Sequence, residues 1–446
     1  MLSVLLFVIT FLTTITLAVR NSAVFLFVLY QAFYFFNPQT KWWGGYIPDL
    51  RFSFYIVLTM LMVTAIKWRN LAGNRIFAVP QFCFLYITAF LYCIASFYAV
   101  LPLNHSIAMD AIVTAVVIIT LVYKLVTKDE HLDYIIYGYI TFAAYLGYYI
   151  SQVGRVSAGR FDYSAGMVDS PDANGVAAAL VPALVLALYY FWQKPTLLKK
   201  IPFVFAGFFL ATALVLLGSR GAFLGVTAGA SVFIWILFFS KIQRKNQKAA
   251  VIGIVLFGLL GVAVVTDKIF WERMFTIKEA VSLENLEEAE SGGTRVIFWL
   301  AAIEMAKDHP FGGGSSAFIY YSDEYIPETI HTGTKRNRAV HSTWFEVLAE
   351  IGYLGFISFC GVIYYSIITC YRASKRLKEN KDKERYFKVI AINCALLSFL
   401  VTMTFLNRFR AEILYWLILY TAIAYNLYVL QPKQQVKIAR VSNMQT

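Results

Sequence analysis

Charge is what this chain has least of. Only 15% of its 446 residues are Asp, Glu, Lys or Arg, against 59% hydrophobic. A soluble fold of that length needs a far more polar surface, so the composition excludes one. Histidine and cysteine are scarce too, with five of each. The cysteines (Cys83, Cys93, Cys360, Cys370, Cys394) lie in or beside apolar runs without metal-ligand spacing, which argues against disulfides and structural zinc. The acidic run Glu284, Glu287, Glu288 and Glu290 lacks the spacing of a metal site and reads as a solvated face. No metal and no cofactor is expected. Internal repeats, including the inverted halves of many carriers, are not evident. The first apolar run ends at Arg20-Asn21 without a small-x-small cleavage site, so no cleavable leader is expected.

What the chain does have is apolar sequence of membrane-spanning length, with a mean hydropathy of +0.63. Spans are expected near 2–18, 22–36, 52–66, 81–101, 109–126, 132–152, 176–192, 201–217, 222–240, 249–265, 351–371, 387–405 and 414–430. That gives an all-α polytopic membrane protein with about thirteen spans, or twelve if the first two form a broken hairpin. The net charge of +13 comes from Lys and Arg concentrated in short connections, which suits a membrane rather than nucleic acid. Lys67–Arg75, Lys124–Lys128, Lys194–Lys200, Lys241–Lys248, Arg372–Lys388 and the tail with Lys433, Lys437 and Arg440 alternate with connections poor in positive charge, such as Pro102–Ile107. By the positive-inside rule the basic connections and the C-terminus are cytoplasmic. The organisation expected is a helix bundle over 1–265, a large periplasmic loop domain over 266–350, C-terminal spans over 351–430 and a cytoplasmic tail over 431–446, in a bacterial inner membrane. Within the loop, Thr294–Lys307 reads as an amphipathic helix, with Val296, Trp299, Leu300, Ile303 and Met305 apolar and Pro310 ending it.

The residues that resist this bland picture are cations on the outer side. Arg220 sits in the tight turn Gly218-Ser219-Arg220-Gly221 between two spans. A guanidinium beside hydrocarbon costs at least about 2.5–3.5 kcal/mol unless it snorkels or finds a partner. It serves equally a headgroup or a bound anion. Arg295 opens the surface helix. Arg408 and Arg410 share a short connection with Glu412, which could neutralise them. Arg336 and Arg338 precede His341, and an imidazole at a membrane edge can serve as a general base. Glu350 is carried to the membrane edge, where an acid calls for pairing or function. Asn174 lies in the other sizeable outer loop, Gly154–Gly175. Several outer arginines together suit a diphosphate, which fork-shaped donors bind bidentately.

Three stretches carry a family resemblance: LLGSRGAFLG around Arg220, GGTRVIFWLAAIEMAKDHPFGGG around Arg295, and HSTWFEVLAEIGYLG from His341. In this order and at this topology they resemble the O-antigen ligase/polymerase superfamily. Upstream, FNPQTKWWGGYIPDLRFSF and SPDANGVAAALVPALVL look like a branch of O-glycosylation ligases of the exosortase A system. The resemblance implies glycan transfer from undecaprenyl diphosphate to an acceptor hydroxyl on lipid A core, protein or another glycan, with no metal or nucleotide sugar. It also implies that His341, Arg220 and Arg295 are catalytic, with Arg220 and Arg295 holding the leaving diphosphate. Arg408, Arg410, Arg338, Arg336, Asn174 and Glu350 are expected to bind substrate. Many members have Asn where this chain has Ser342. The competing class is a carrier of lipid-linked glycans or small anions, which would place its ionisable groups near mid-span rather than at the outer edge.

Overall fold

In the computed structural model, residues 2–38, 43–48, 50–155, 161, 169–170, 172–275, 293–328 and 337–432 are described. Among them are sixteen α-helices and no β-strand. A helix stands at each expected span: α1 (Leu2–Arg20), α2 (Val24–Phe36), α3 (Phe52–Ile66), α4 (Pro80–Ile94), α5 (Pro102–Leu125), α6 (Asp129–Val153), α7 (Ala173–Gln193), α8 (Leu197–Leu217), α9 (Arg220–Phe239), α10 (Gln247–Val265), α14 (Thr343–Glu379), α15 (Lys383–Met403) and α16 (Glu412–Tyr425). The large connection contains α11 (Lys268–Phe275), α12 (Gly293–Asp308) and α13 (Ala317–Tyr325). Nine helices among the described residues are long and apolar enough to cross a membrane. The protein is an all-α polytopic membrane protein. The acidic run at 284–290, Arg336 and the basic tail lie outside the described residues.

Helices that are apolar all round must be buried in protein or face lipid, and the bundle uses both solutions. Every residue of α16 from Ile413 to Tyr425 is buried, so it forms the centre. In α10 only Gln247 and Val251 are buried, so it forms the rim. Between these extremes, α9 presses against α15 through Gly221, Gly225 and Gly229, spaced four apart on one face. A Cβ at Gly225 would stand 2.0 Å from Thr402 Oγ1, and one at Gly229 2.6 Å from Ser398 Cβ. Small residues let the two backbones approach, as in other membrane helix pairs. This contact fixes Arg220, at the start of α9, beside the turn that follows α15.

A short helix begins at Thr343 and meets the span expected from residue 351 at a break at Ile351 and Gly352, so that α14 (Thr343–Glu379) is two helices joined at a kink. Two expectations need correction. Residues 102–107, expected as a connection, are the first turns of α5, which Pro102 starts from the N1 position where its missing N–H costs nothing. The buried face of α12 is Phe298, Ala301, Ala302 and Met305, while Leu300 and Ile303 are exposed. Alanines let α12 lie close to its neighbours, a choice that apolar periodicity alone does not reveal. α12 and α13 share a small core with Val340 and Ala349, and Trp299 stacks on Phe345 at 5.5 Å.

The break in α14 is held by the glycine strap at 312–314. Gly313 N donates to Ala349 O at 3.0 Å and Gly314 N to Glu350 O at 2.9 Å, while Tyr353 N donates to Pro310 O at 3.0 Å. These bonds satisfy carbonyls that the break would otherwise orphan. Gly352 has φ +64°, and a Cβ there would meet Pro310 O at 2.1 Å, so only glycine fits.

Candidate active site at the helix ends

Arg220, Arg295 and His341 come from three separate stretches and converge. Arg295 is half-buried on the first turn of α12. Burial lowers its pKa, and the adjacent Arg220 guanidinium lowers it further. Among the described residues Arg295 makes no ion pair with an acidic side chain. His341 lies just before α14. Its pKa is lowered to about 4, first by burial and then by Arg295, with Arg338 adding to the effect and Asp172 opposing it. The imidazole is therefore neutral at pH 7, in a field set mainly by cations. Asp172 caps α7 by accepting from Gly175 N at 2.6 Å, and Asn174 sits in that same first turn.

The backbone of His341 is in the left-handed region, at φ 52°. A non-glycine residue there carries a cost of order 1–3 kcal/mol that its surroundings must offset. The turn after α15 does so. Ser342 N donates to Asn407 Oδ1 at 3.0 Å, Thr343 Oγ1 donates to Leu406 O at 2.7 Å, and Arg408 N donates to Thr343 Oγ1 at 2.8 Å. Trp344 Nε1 adds a bond to Thr404 Oγ1 at 3.0 Å. Ser342, fully buried, turns its Oγ to no hydrogen-bond partner among the described residues.

The remaining expected arginines have other surroundings. Arg410 donates from Nη1 to both oxygens of Glu350, each at 2.9 Å, and from Nη2 to Glu346 Oε1 at 2.7 Å. Burial opposes its charge, but Glu350 and Glu346 hold its pKa well above the ordinary arginine value. Tyr92 OH also donates to Glu350 Oε2 at 2.9 Å, and Ser316 N donates to Glu350 Oε1 at 2.9 Å. Arg408 is buried and donates to Ser170 Oγ at 3.1 Å and Asp169 O at 2.6 Å. Neutralisation by Glu412, expected from its place in the same connection, does not occur. Glu412 accepts from Tyr30 OH at 2.7 Å and its amide donates to Asp169 Oδ2 at 2.8 Å. Glu346 and Glu350 reach Arg410 instead because residues four apart share one face of a helix. Arg338 is half-buried, its amide 3.4 Å from Ser322 Oγ. Arg336 falls outside the described residues.

Sequence reasoning missed Glu346, Asn407 and Thr343. A signal for Glu346 was present: two acids four apart on an otherwise apolar helix need a shared cation. Nothing in the linear pattern indicated that the Asn407 turn would clamp His341. Arg155 and Asp267 were also missed as a pair; they tie the end of α6 to the start of the large loop, with Arg155 Nη2 donating to Asp267 Oδ1 at 2.9 Å.

Residues 205–360, which contain Arg220, Arg295 and His341, match the family described as O-antigen ligase. The chain is also 28% identical over 186 residues to the teichuronic acid biosynthesis protein TuaE of Bacillus subtilis (strain 168). That match covers 42% of this chain and 36% of the relative, so the chain spans about a third of the length of the relative it matches. The resemblance to the O-antigen ligase/polymerase superfamily is borne out.

Proposed function

We propose that the protein transfers a glycan from a polyprenyl diphosphate carrier, of the undecaprenyl type, to an acceptor hydroxyl at the outer face of the bacterial inner membrane. The observation that carries this reading is the meeting of Arg295, Arg220 and His341. Two neighbouring guanidiniums beside an unprotonated imidazole form a good anion site. A departing diphosphate concentrates negative charge, and preorganised guanidiniums stabilise it where it develops.

In the reaction the acceptor oxygen attacks the anomeric carbon and the bond from that carbon to the diphosphate oxygen breaks. The leaving diphosphate keeps the electron pair, and His341 Nδ1 or Nε2 takes the hydroxyl proton. A resting pKa of about 4 makes His341 a weak base. Bound diphosphate offsets the arginine charges responsible for part of that depression, so the imidazole becomes more basic when the donor is in place. The base strengthens when there is something to transfer.

Ligation onto core lipid or protein and polymerisation onto another lipid-linked glycan share this chemistry. The upstream stretches favour ligation, while the relative named for teichuronic acid biosynthesis puts polymerisation beside it. The deciding experiment offers purified protein in lipid nanodiscs an undecaprenyl-diphosphate glycan with each acceptor in parallel. Transfer to one acceptor, lost in Arg295→Ala and His341→Ala, is the expected result. Undiminished transfer in both variants would remove the mechanism.

A further inference from the structure

Beside Arg410 lies a shallow, open depression of about 280 Å³. Asn104, Ala108 and Ala111 of α5 form one wall, and Ser315, Ser316 and Arg410 form the other. The Arg410 side chain is 29% exposed, while Glu346 and Glu350 behind it are 3% exposed. The cavity therefore meets guanidinium N–H groups whose charge two hidden carboxylates already offset.

We propose that this cavity is a subsite for an uncharged sugar residue of the acceptor glycan. The proposal rests on the transferase reading above. Three chemical features favour a sugar. The rim offers hydroxyls, an amide and N–H donors, which complement a ring of hydroxyl groups. Ile107, Ala108 and Ala111 make the rest of the α5 wall apolar, which suits the C–H face of a pyranose. A diphosphate gains little here, because the charge it would need is already spent on Glu346 and Glu350.

The rim is also preset, which lowers the ordering cost of binding. Ser315 N donates to His105 Nδ1 at 3.0 Å, so His105 Nε2 carries the proton and donates to Tyr92 O at 3.0 Å. Ser316 holds φ 63°, a left-handed conformation maintained by the bond from its amide to Glu350. Strain kept at a cavity rim is typical of binding positions. Glu346 N donates to Ser342 O at 2.8 Å, so one helical turn links the carboxylate behind Arg410 to the residue after His341.

The test uses the full-length protein in nanodiscs, with methyl α-glucoside as the sugar probe and inorganic pyrophosphate as competitor. Ala111→Trp fills the cavity from an exposed wall position, and Ser315→Ala removes one hydroxyl without adding bulk. Saturation-transfer NMR should detect the glucoside on the native protein, about tenfold more weakly in Ala111→Trp and more modestly reduced in Ser315→Ala. Pyrophosphate should not displace it. In transfer assays Ala111→Trp should raise the acceptor KM about tenfold with kcat near native. A glucoside signal that is absent, survives both variants or is displaced by pyrophosphate overturns the subsite, even if transfer itself proceeds. Sugar binding that behaves as expected in a protein that transfers nothing from undecaprenyl diphosphate leaves the subsite standing and defeats only the transferase reading.

Discussion

Arg295 and Arg410 are both arginines expected at the same edge of the membrane, yet they live in opposite surroundings. Arg410 is gripped by two buried carboxylates and a tyrosine-linked network. Arg295 has the Arg220 guanidinium as its charged neighbour and makes no ion pair among the described residues. The first arrangement stabilises a fold and has little electrostatic attraction left for a ligand. The second sets one guanidinium beside another, a pairing that an anion can bridge. An arginine's place in the sequence says nothing about which of these it is; its neighbours decide.

Replacing residues on each side sharpens that contrast. His341→Ala and Arg295→Ala should each lower transfer by about 10²–10⁴-fold, with thermal unfolding close to native, since loss of a base or a leaving-group donor acts on the transition state. A purified His341→Ala protein retaining native turnover would end the argument for the cationic side. Arg410→Met should instead act on stability, by about 3–5 kcal/mol, because it leaves Glu346 and Glu350 buried without a cation. Calorimetry in detergent reads this, and adding Glu346→Gln and Glu350→Gln should restore part of the loss. An Arg410→Met protein that melts with the native one would erase the distinction.

A smaller effect is expected at the break in α14. Gly352→Ala forces a Cβ against Pro310 O at positive φ and should destabilise by about 1–3 kcal/mol, loosening the strap between α12 and α13. Limited proteolysis of the large loop should then accelerate; unchanged cleavage would show that the strap does not hold it. The gentlest probe is pH. Protonated His341 cannot accept a proton, so kcat/KM for the donor should be flat near neutrality and fall only as pH approaches about 4. The corresponding limb in kcat should lie at higher pH, because bound diphosphate favours the imidazolium. Coincident limbs would mean that the arginine field does not act on the imidazole. The same depression links to stability: the folded pKa lies below the unfolded value near 6.5, so the contribution is full above that value and is lost as pH falls toward about 4.

The bundle was legible because a transmembrane helix announces itself by length and hydropathy, and helices stand at all thirteen expected positions. The helix ends were less so. Thr343–Glu350 reads as loop in an apolar scan because Glu346 and Glu350 interrupt it, yet these are the residues that Arg410 lets it bury. At the site, Arg220 and Arg295 were visible as charges on the wrong side of the alternation and His341 as an imidazole at the membrane edge, and the structure brings them together. The division of the arginines was not visible, since it depends on partners 60 and 64 residues away.

Because Arg410 and Asn407 arrive so late in synthesis, a nascent chain that has inserted everything through α15 still holds Glu346 and Glu350 without their cation and His341 without its clamp. Until the turn after α15 has docked, the earlier helices can be in place while the backbone of His341 is not yet fixed.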